Sequence, residues 1–341
     1  MMFEELLEQF RQLGGTAQNI VLREGSYGRG VFPQDPSKPI LIHIPENLLI
    51  PVSMLTLHGT DLVVREDARI PENIRAFFAS YQKHLSWGAG VFTHLLESER
   101  SWCQLPEPVK DKMISILQAD LGNNPFDISN STKLINRYYL TRAIGYASSS
   151  FGQDGHVMPF IELINHSKDG GAYKSHNGIA FDGVYAGEVF ANYNPLFDSM
   201  KLFTQYRFSA PSKTAYSFPI RLICGDSFIQ VLRNIADHQF IDGKRYPNVL
   251  IADKGVQLSY LELGNCSSPR ACRSSFLRLI SGTPIQNPNE VFDQLEAHNR
   301  NCLISLLRVL QNHQGPMISE LQSAVFNQME TLSTYWGSDP L

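Results

Sequence analysis

Three segments of the chain carry side chains that could do chemistry. The first is Glu24-Gly25-Ser26-Tyr27-Gly28-Arg29-Gly30-Val31-Phe32, a glycine-rich turn between two short apolar runs. Glycines there remove the side-chain obstacle to a ligand lying on the backbone and allow positive φ. No Gly-Lys-Ser/Thr follows and no helix opens after it, so it is neither a phosphate loop nor a dinucleotide fingerprint. An ordinary hairpin turn is the plain alternative. The second is Met158-Pro159-Phe160-Ile161-Glu162-Leu163-Ile164-Asn165-His166-Ser167, an apolar run ending in three hydrogen-bonding side chains. A strand end that projects Asn and His can seat a ligand, because the backbone is rigid and its last polar groups are free; a polar loop start reads the same way. No second His, Cys or Asp stands at a metal-ligand spacing from His166, so no metal site is expected. The third runs from Gly187-Glu188 to Tyr193-Asn194 and on to Tyr206-Arg207-Phe208. A Tyr hydroxyl at a strand edge can orient a nucleophile, although a half-buried core aromatic is the alternative for any one of 13 tyrosines.

Positioning these groups requires elements that the hydrophobic pattern supplies. Phe3, Leu6, Leu7, Phe10 and Leu13 share a helical face and Gly14 supplies a stop, predicting an N-terminal helix within residues 1–18. Short apolar runs at 20–22, 30–32 and 40–44, punctuated by Gly, Pro, Asp and Ser, predict strands in a turn-rich sheet. Apolar residues at three- and four-residue steps predict helices at 74–85, 91–96, 109–121 and 134–147. Strands are expected again at 158–164, 178–181 and 189–193, then helices at 274–281 and 291–310. The boundary between two lobes falls near residue 211.

The 341 residues are 43% hydrophobic and 18% charged, against roughly 25% charged in an average domain, which excludes disorder and fibrous repeats and predicts two well-filled cores. Net charge is -4 with no basic run, so no nucleic acid partner is expected. Residues 1–211 hold 18 basic and 22 acidic side chains, and 212–341 hold 11 of each, so the acidic excess lies in the first lobe and suits a cationic substrate. Five cysteines without a Cys-x-x-Cys pair indicate neither a disulfide framework nor a zinc knuckle. No signal peptide or membrane span is visible, and a cytoplasmic or nuclear monomer is expected.

In this order, Gly28-Arg29-Gly30, Thr141-Arg142-Ala143, Pro159 to Ser167 with its Asn165-His166-Ser167, Gly187-Glu188 leading to Tyr193, and Tyr206 to Phe208 resemble a SET domain. The helical stretch before Arg142 and the helical second half are similar to the rubisco-methyltransferase-like branch of that family. The resemblance covers residues 20–211. It implies an α+β chain: a β-rich SET domain over 19–211 with a helical insertion at about 60–135, then a mainly α-helical C-terminal lobe, 212–341, that binds the substrate. It further implies an S-adenosyl-L-methionine-dependent methyltransferase acting on a protein, usually on lysine, with histidine also known as a target in this branch. By the same resemblance Tyr27, Gly28, Arg29, Arg142, Asn165, His166 and Phe208 would hold the cofactor, Tyr193 would be the catalytic tyrosine, and Glu162 and Tyr206 would line the substrate pocket.

Three positions depart from the family pattern. Glu162 replaces an Asp, Asn194 stands where a Gly follows the catalytic Tyr, and Arg207 stands where a Gly separates Tyr206 from Phe208. If that last position has positive φ, an Arg strains the turn by roughly 1 kcal/mol. A non-catalytic SET-like protein-binding module is therefore the rival reading. A hydrolase is a weaker one, since no Gly-x-Ser-x-Gly elbow is present.

Overall fold

Leu6, Leu7 and Phe10 are buried on one face of the helix Met2–Gln12, which ends where Gly14 takes φ +96°. The helix thus stops short of residue 18, and Thr16–Gln18 is already a strand. In the computed structural model, residues 2–25, 27–121, 126, 131–148, 152–233, 238–241, 244–247, 249–252, 254–268 and 270–333 are described. Ser26 of the glycine-rich turn lies outside them. Helices and strands are mixed throughout, an α+β arrangement.

The chain divides into two compact units, one made of Met1–Arg100 with Ile128–Tyr193 and the other of Ser101–Asp127 with Asn194–Leu341. This differs from a border near residue 211 and from one helical insertion over 60–135. The reason lies in the cores. Trp102, Leu105, Val109 and Met113 are buried with Met200, Phe203 and Ala215, so the segment after Arg100 and the segment after Tyr193 share one apolar cluster.

In the first unit a sheet runs in the order Thr16–Gln18, Ile40–Pro45, Gly178–Gly183, Lys174–Ser175, all antiparallel. Ile40, Ile42 and Ile44 alternate inward, as the period of a half-buried strand requires. Ile20–Gly25 and Gly28–Pro33 form a hairpin with Gly25 opposite Gly28. A second sheet has the order Ile50–Pro51, Gly152–Val157, Ala143–Ser148. Residues 134–147 are therefore not one helix: the helix Ser131–Arg142 ends at Arg142 and the chain continues directly as the strand Ala143–Ser148. Pairing with Gly152–Val157 decides the matter, since Ile144 and Tyr146 fit a strand as well as a helix.

The run 158–164 is not a strand either. Gly152–Val157 ends, Phe160 takes φ +65°, a single 3-10 turn spans Ile161–Leu163, and Asn165–Gly171 begins the next strand. Pro159 lacks an N–H for a ladder, and an unbroken apolar run reads alike for a buried strand and a buried turn. Burial holds this turn: the Phe160 ring packs on Phe10, Tyr81 and Phe3 with centroids 5.0, 5.3 and 6.1 Å away.

The second unit has more strand than the expected mainly α-helical lobe. Its sheet has the order Ile220–Cys224, Ser227–Leu232, Gly255–Ser259, Val249–Ala252, with the two middle strands parallel. Ile229, Val231, Val256 and Leu258 fill the buried face, an alternation visible in the sequence. The helices Ala271–Leu279, Pro288–Leu310 and Pro316–Ser333 complete it with Glu107–Leu117 and Ser199–Tyr206. Asp198 sits at its centre. The carboxylate caps Ser199–Tyr206 by accepting from the Lys201 N–H at 2.8 Å, and also accepts from the Arg233 guanidinium at 3.1 Å and from Gln328 Nε2 at 3.0 Å.

Glu296 on Pro288–Leu310 is 3% exposed and has its nearest cation, Arg273, at 3.7 Å. Burial raises its pKa to about 7, with Arg273 and Arg300 only partly offsetting the effect. A carboxyl whose folded pKa lies above its unfolded one holds an extra proton when folded. Its contribution to stability is complete below about 4.5 and is lost as pH rises through about 7. Urea unfolding is expected to show a loss on the order of 1–3 kcal/mol between pH 5 and pH 8 from this group. The pH dependence should flatten by that amount in Glu296→Gln, and an unchanged profile in the variant would exclude Glu296 as its source.

Candidate active site

The hairpin Ile20–Gly25/Gly28–Pro33 turns through Gly28 at φ +85°, and Tyr27 at its tip is 71% exposed, its ring edge-on to Phe190 at 6.1 Å. Arg29 uses its side chain to anchor the hairpin by donating from Nη2 to the Leu85 carbonyl at 2.5 Å. A second segment lies along the hairpin, where the Val189 N–H donates to the Val31 carbonyl at 2.8 Å. That contact lays the Glu188 carboxylate against the hairpin's glycines.

Asn165–Gly171 pairs in parallel with Phe190–Ala191, setting Asn165 beside Phe190 and His166 beside Ala191. Two motifs more than 20 residues apart thereby meet. Asn165 Nδ2 donates to Glu188 Oε1 at 2.6 Å, and the Tyr193 N–H donates to His166 Nδ1 at 3.2 Å. A ring nitrogen that accepts carries no proton, so this contact calls for a neutral imidazole. Burial agrees, lowering the His166 pKa to about 4. The rings of His166 and Tyr193 are 5.1 Å apart. The Tyr193 hydroxyl donates to the Ile164 carbonyl at 2.9 Å, and a hydroxyl oxygen that donates can also accept.

Arg142, the last residue of its helix, donates from Nη1 to the Glu162 carbonyl at 2.9 Å. Glu162 is placed differently from an open pocket residue. Its side chain is packed in the core, 5% exposed, where Oε2 accepts from the Tyr138 hydroxyl at 3.1 Å and Tyr138 accepts from Gln82 Nε2 at 2.9 Å. Burial raises the Glu162 pKa against the lowering effects of Arg142, Ser86, Tyr81 and Tyr138. For Tyr193, burial raises the pKa most; Arg142 lowers it, and the negative charges of Glu162 and Glu188 raise it further. The hydroxyl therefore stays protonated at neutral pH. It can orient and accept, but it is not a base.

In the first unit, then, Arg142, Glu162, Asn165, His166 and Tyr193 are neighbours, with Tyr27, Gly28 and Arg29 on the adjoining hairpin. Tyr206 and Phe208 belong to the second unit. There, Ser199–Tyr206 ends at Arg207 with φ +64°, the left-handed conformation anticipated for a glycine position. The Arg207 guanidinium lies 3.7 Å over the Trp102 ring and also bonds the Thr204 carbonyl, while the rings of Tyr206 and Phe208 are 5.6 Å apart. Asn194 needs no positive φ; its Oδ1 accepts from the Leu196 N–H at 3.0 Å, a side-chain-closed turn. Sequence reasoning missed Tyr81, Gln82 and Tyr138, which fall in two stretches read only as helices. It also gave Glu188 no task, although two glycines flanking one turn signal that something approaches closely.

Among the described residues, no group of three or more His, Cys, Asp or Glu side chains could hold a metal ion, and no helix is long and apolar enough to cross a membrane. No family model matches the chain. No curated protein matches it. Among solved structures it is similar to the SET domain of LSMT bound to lysine and AdoHcy, at 12% identity over 98% of this chain and 90% of that one, with a TM-score of 0.40. It is likewise similar to the SET domain of LSMT bound to MeLysine and AdoHcy, at 11% identity over 99% and 91% of the two chains, with a TM-score of 0.41.

Two measurements test this geometry. In an NMR pH titration, the His166 ring is expected to stay in one neutral form from pH 8 down to about 5, with a midpoint near 4; a midpoint above 6 would contradict the buried acceptor. For Arg207, replacement by glycine relieves roughly 1 kcal/mol of backbone strain and removes a cation–π contact of about the same size, so stability should change by less than ~1 kcal/mol. Arg207→Ala keeps the strain and loses the contact, and should cost about 1–2 kcal/mol by urea unfolding.

Proposed function

We propose that this protein is an S-adenosylmethionine-dependent protein methyltransferase whose target is a lysine side chain. The observation that carries the reading is the convergence of Asn165, His166 and Tyr193 through the parallel pairing of two short strands. The residues fit the cofactor's chemistry. Asn165, with Nδ2 committed to Glu188, is left with Oδ1 as an acceptor for a cationic amino group. The turn is exposed at Tyr27 and Gly28, and Gly28 presents backbone without a side chain, while the carboxylates of Glu162 and Glu188 lie close enough to Tyr193 to favour a cation there. Arg142 and His166 are the remaining residues of the first unit proposed to hold it. S-adenosylmethionine, when bound, supplies an electrophilic methyl group on a sulfonium.

What the chain itself contributes is position. Tyr193 donates its hydroxyl hydrogen bond to the Ile164 carbonyl, and its oxygen can accept from an amine N–H and so aim the nitrogen lone pair. Alignment of this kind can supply several kcal/mol of the barrier. The amine must be neutral to attack; a free lysine titrates near ~10.4, and burial together with the positive charge of Arg142 disfavours its charged form against the opposite pull of Glu162 and Glu188. No carboxylate base is required. The rival reading of a non-catalytic module rested on Asn194 and Arg207, and both turns are accommodated without glycine, one by an Asn-closed turn and one by stacking on Trp102.

Calorimetry is expected to show S-adenosylmethionine binding, and absence of binding at millimolar cofactor would end this reading. Tyr193→Phe should lower transfer of a labelled methyl group to lysate proteins at least about tenfold while cofactor affinity changes less than about twofold. Mass spectrometry of the labelled product should place the methyl group on lysine. An equal transfer rate in the variant would remove Tyr193 from its role.

A further inference from the structure

Glu188 enters the function proposed above only through its charge and its hydrogen bond with Asn165, and the chain makes room for it with two glycines. A methyl group on Gly25 would lie 2.3 Å from Glu188 Oε2, and one on Gly30 would lie 2.3 Å from Glu188 Oε1. The strands Ile20–Gly25 and Gly28–Pro33 therefore leave a notch that only side-chain-free positions permit, and the carboxylate fills it. At that notch Asn165 Nδ2 donates to it at 2.6 Å.

A carboxylate only accepts hydrogen bonds, whereas an amide presents a donor face and an acceptor face that exchange when it turns over. Fixing Nδ2 on Glu188 fixes which face of Asn165 is left. Oδ1 is the group on offer to a ligand. We propose that Glu188 is a positioning residue that locks the amide of Asn165 so that the site selects a ligand carrying a cationic amino group. This rests on the function proposed above in one respect: the amino group would be that of the amino-acid end of S-adenosylmethionine. A short, charge-assisted hydrogen bond is among the stronger ones a side chain makes, so turning the amide over is opposed by its loss.

Glu188→Gln keeps the size and shape of the side chain but can donate as well as accept, so it permits both amide orientations. Two calorimetric titrations compare S-adenosylhomocysteine with its desamino analogue, which lacks only the amino group. The wild-type protein is expected to prefer the amino-bearing ligand by at least about tenfold, and Glu188→Gln to lose most of that preference. A residue that merely supported the fold would weaken both ligands in proportion, and that result, or an unchanged preference, would overturn the proposal. Gly25→Ala gives an independent perturbation, because the three atoms nearest its added methyl all belong to Glu188 and Gly25 has no positive φ. It should reduce the preference in the wild-type background and do nothing further in Glu188→Ala; an equal effect in both backgrounds would also count against the proposal.

The side-chain amide of Asn165 supplies a reading without any ligand. Its Nδ2 protons should exchange with solvent at least about tenfold more slowly in wild type than in Glu188→Ala. If neither adenosyl ligand binds but this protection is present and lost in the variant, the methyltransferase reading fails while the lock stands. If the protons exchange equally fast in both proteins, the lock fails whatever the ligand does.

Discussion

The first unit depends on one short piece of parallel pairing, Asn165 beside Phe190 and His166 beside Ala191. Parallel strands cannot be joined by a tight turn and need a crossover. Here the crossover is itself structural, since it contains Lys174–Ser175 and Gly178–Gly183, two strands of the sheet that also holds Ile40–Pro45. The pairing is thus held by a larger sheet than its own few hydrogen bonds would suggest. It places His166 against the backbone of Tyr193 and Asn165 against the carboxylate of Glu188. Without it, neither contact has any local reason to form.

Two carboxylates near Tyr193 show how environment divides identical chemistry. Glu162 is enclosed by Tyr81, Tyr138 and Ser86, and burial raises its pKa while its neighbours pull the other way. Glu188 lies on hairpin backbone with an amide donor at its end. The first knits two helices and a turn into the core; the second faces the glycine-rich hairpin. Arg142 bridges the region by holding the backbone of residue 162 rather than its carboxylate. Its positive charge partly balances the negative charge that both acids bring to Tyr193.

Much of this was legible in the residues. The N-terminal helix, the glycine hairpin, Ile40–Pro45 and the long helix Pro288–Leu310 follow from apolar period and from Gly and Pro as stops. The run around Phe160 was misread because a fully apolar segment has no period to show, and only tertiary packing against Phe3, Phe10 and Tyr81 makes it a turn. The helix ending at Arg142 was drawn too long because pairing with a distant strand, invisible locally, takes over at Ala143. At the site, Asn165, His166 and Tyr193 stood out by type and spacing. Glu162 did not reveal that its carboxylate turns inward, since burial by Tyr81 and Tyr138 depends on how two helices pack. The border between units was hidden for a similar reason: Trp102 and Phe203, about a hundred residues apart, share one core.

The sheet order Thr16–Gln18, Ile40–Pro45, Gly178–Gly183 also dictates when the first unit can close during synthesis. Its central strand pairs on one side with residues some 25 positions away and on the other with residues nearly 140 away. A nascent chain that has emerged only as far as the helix Ser131–Arg142 holds Ile40, Ile42 and Ile44 with one edge of their strand open. Contacts of such long sequence separation form slowly, because the intervening loop must be closed first. The apolar strand is then a point where a ribosome-bound intermediate would be open to wrong partners until Gly178–Gly183 arrives.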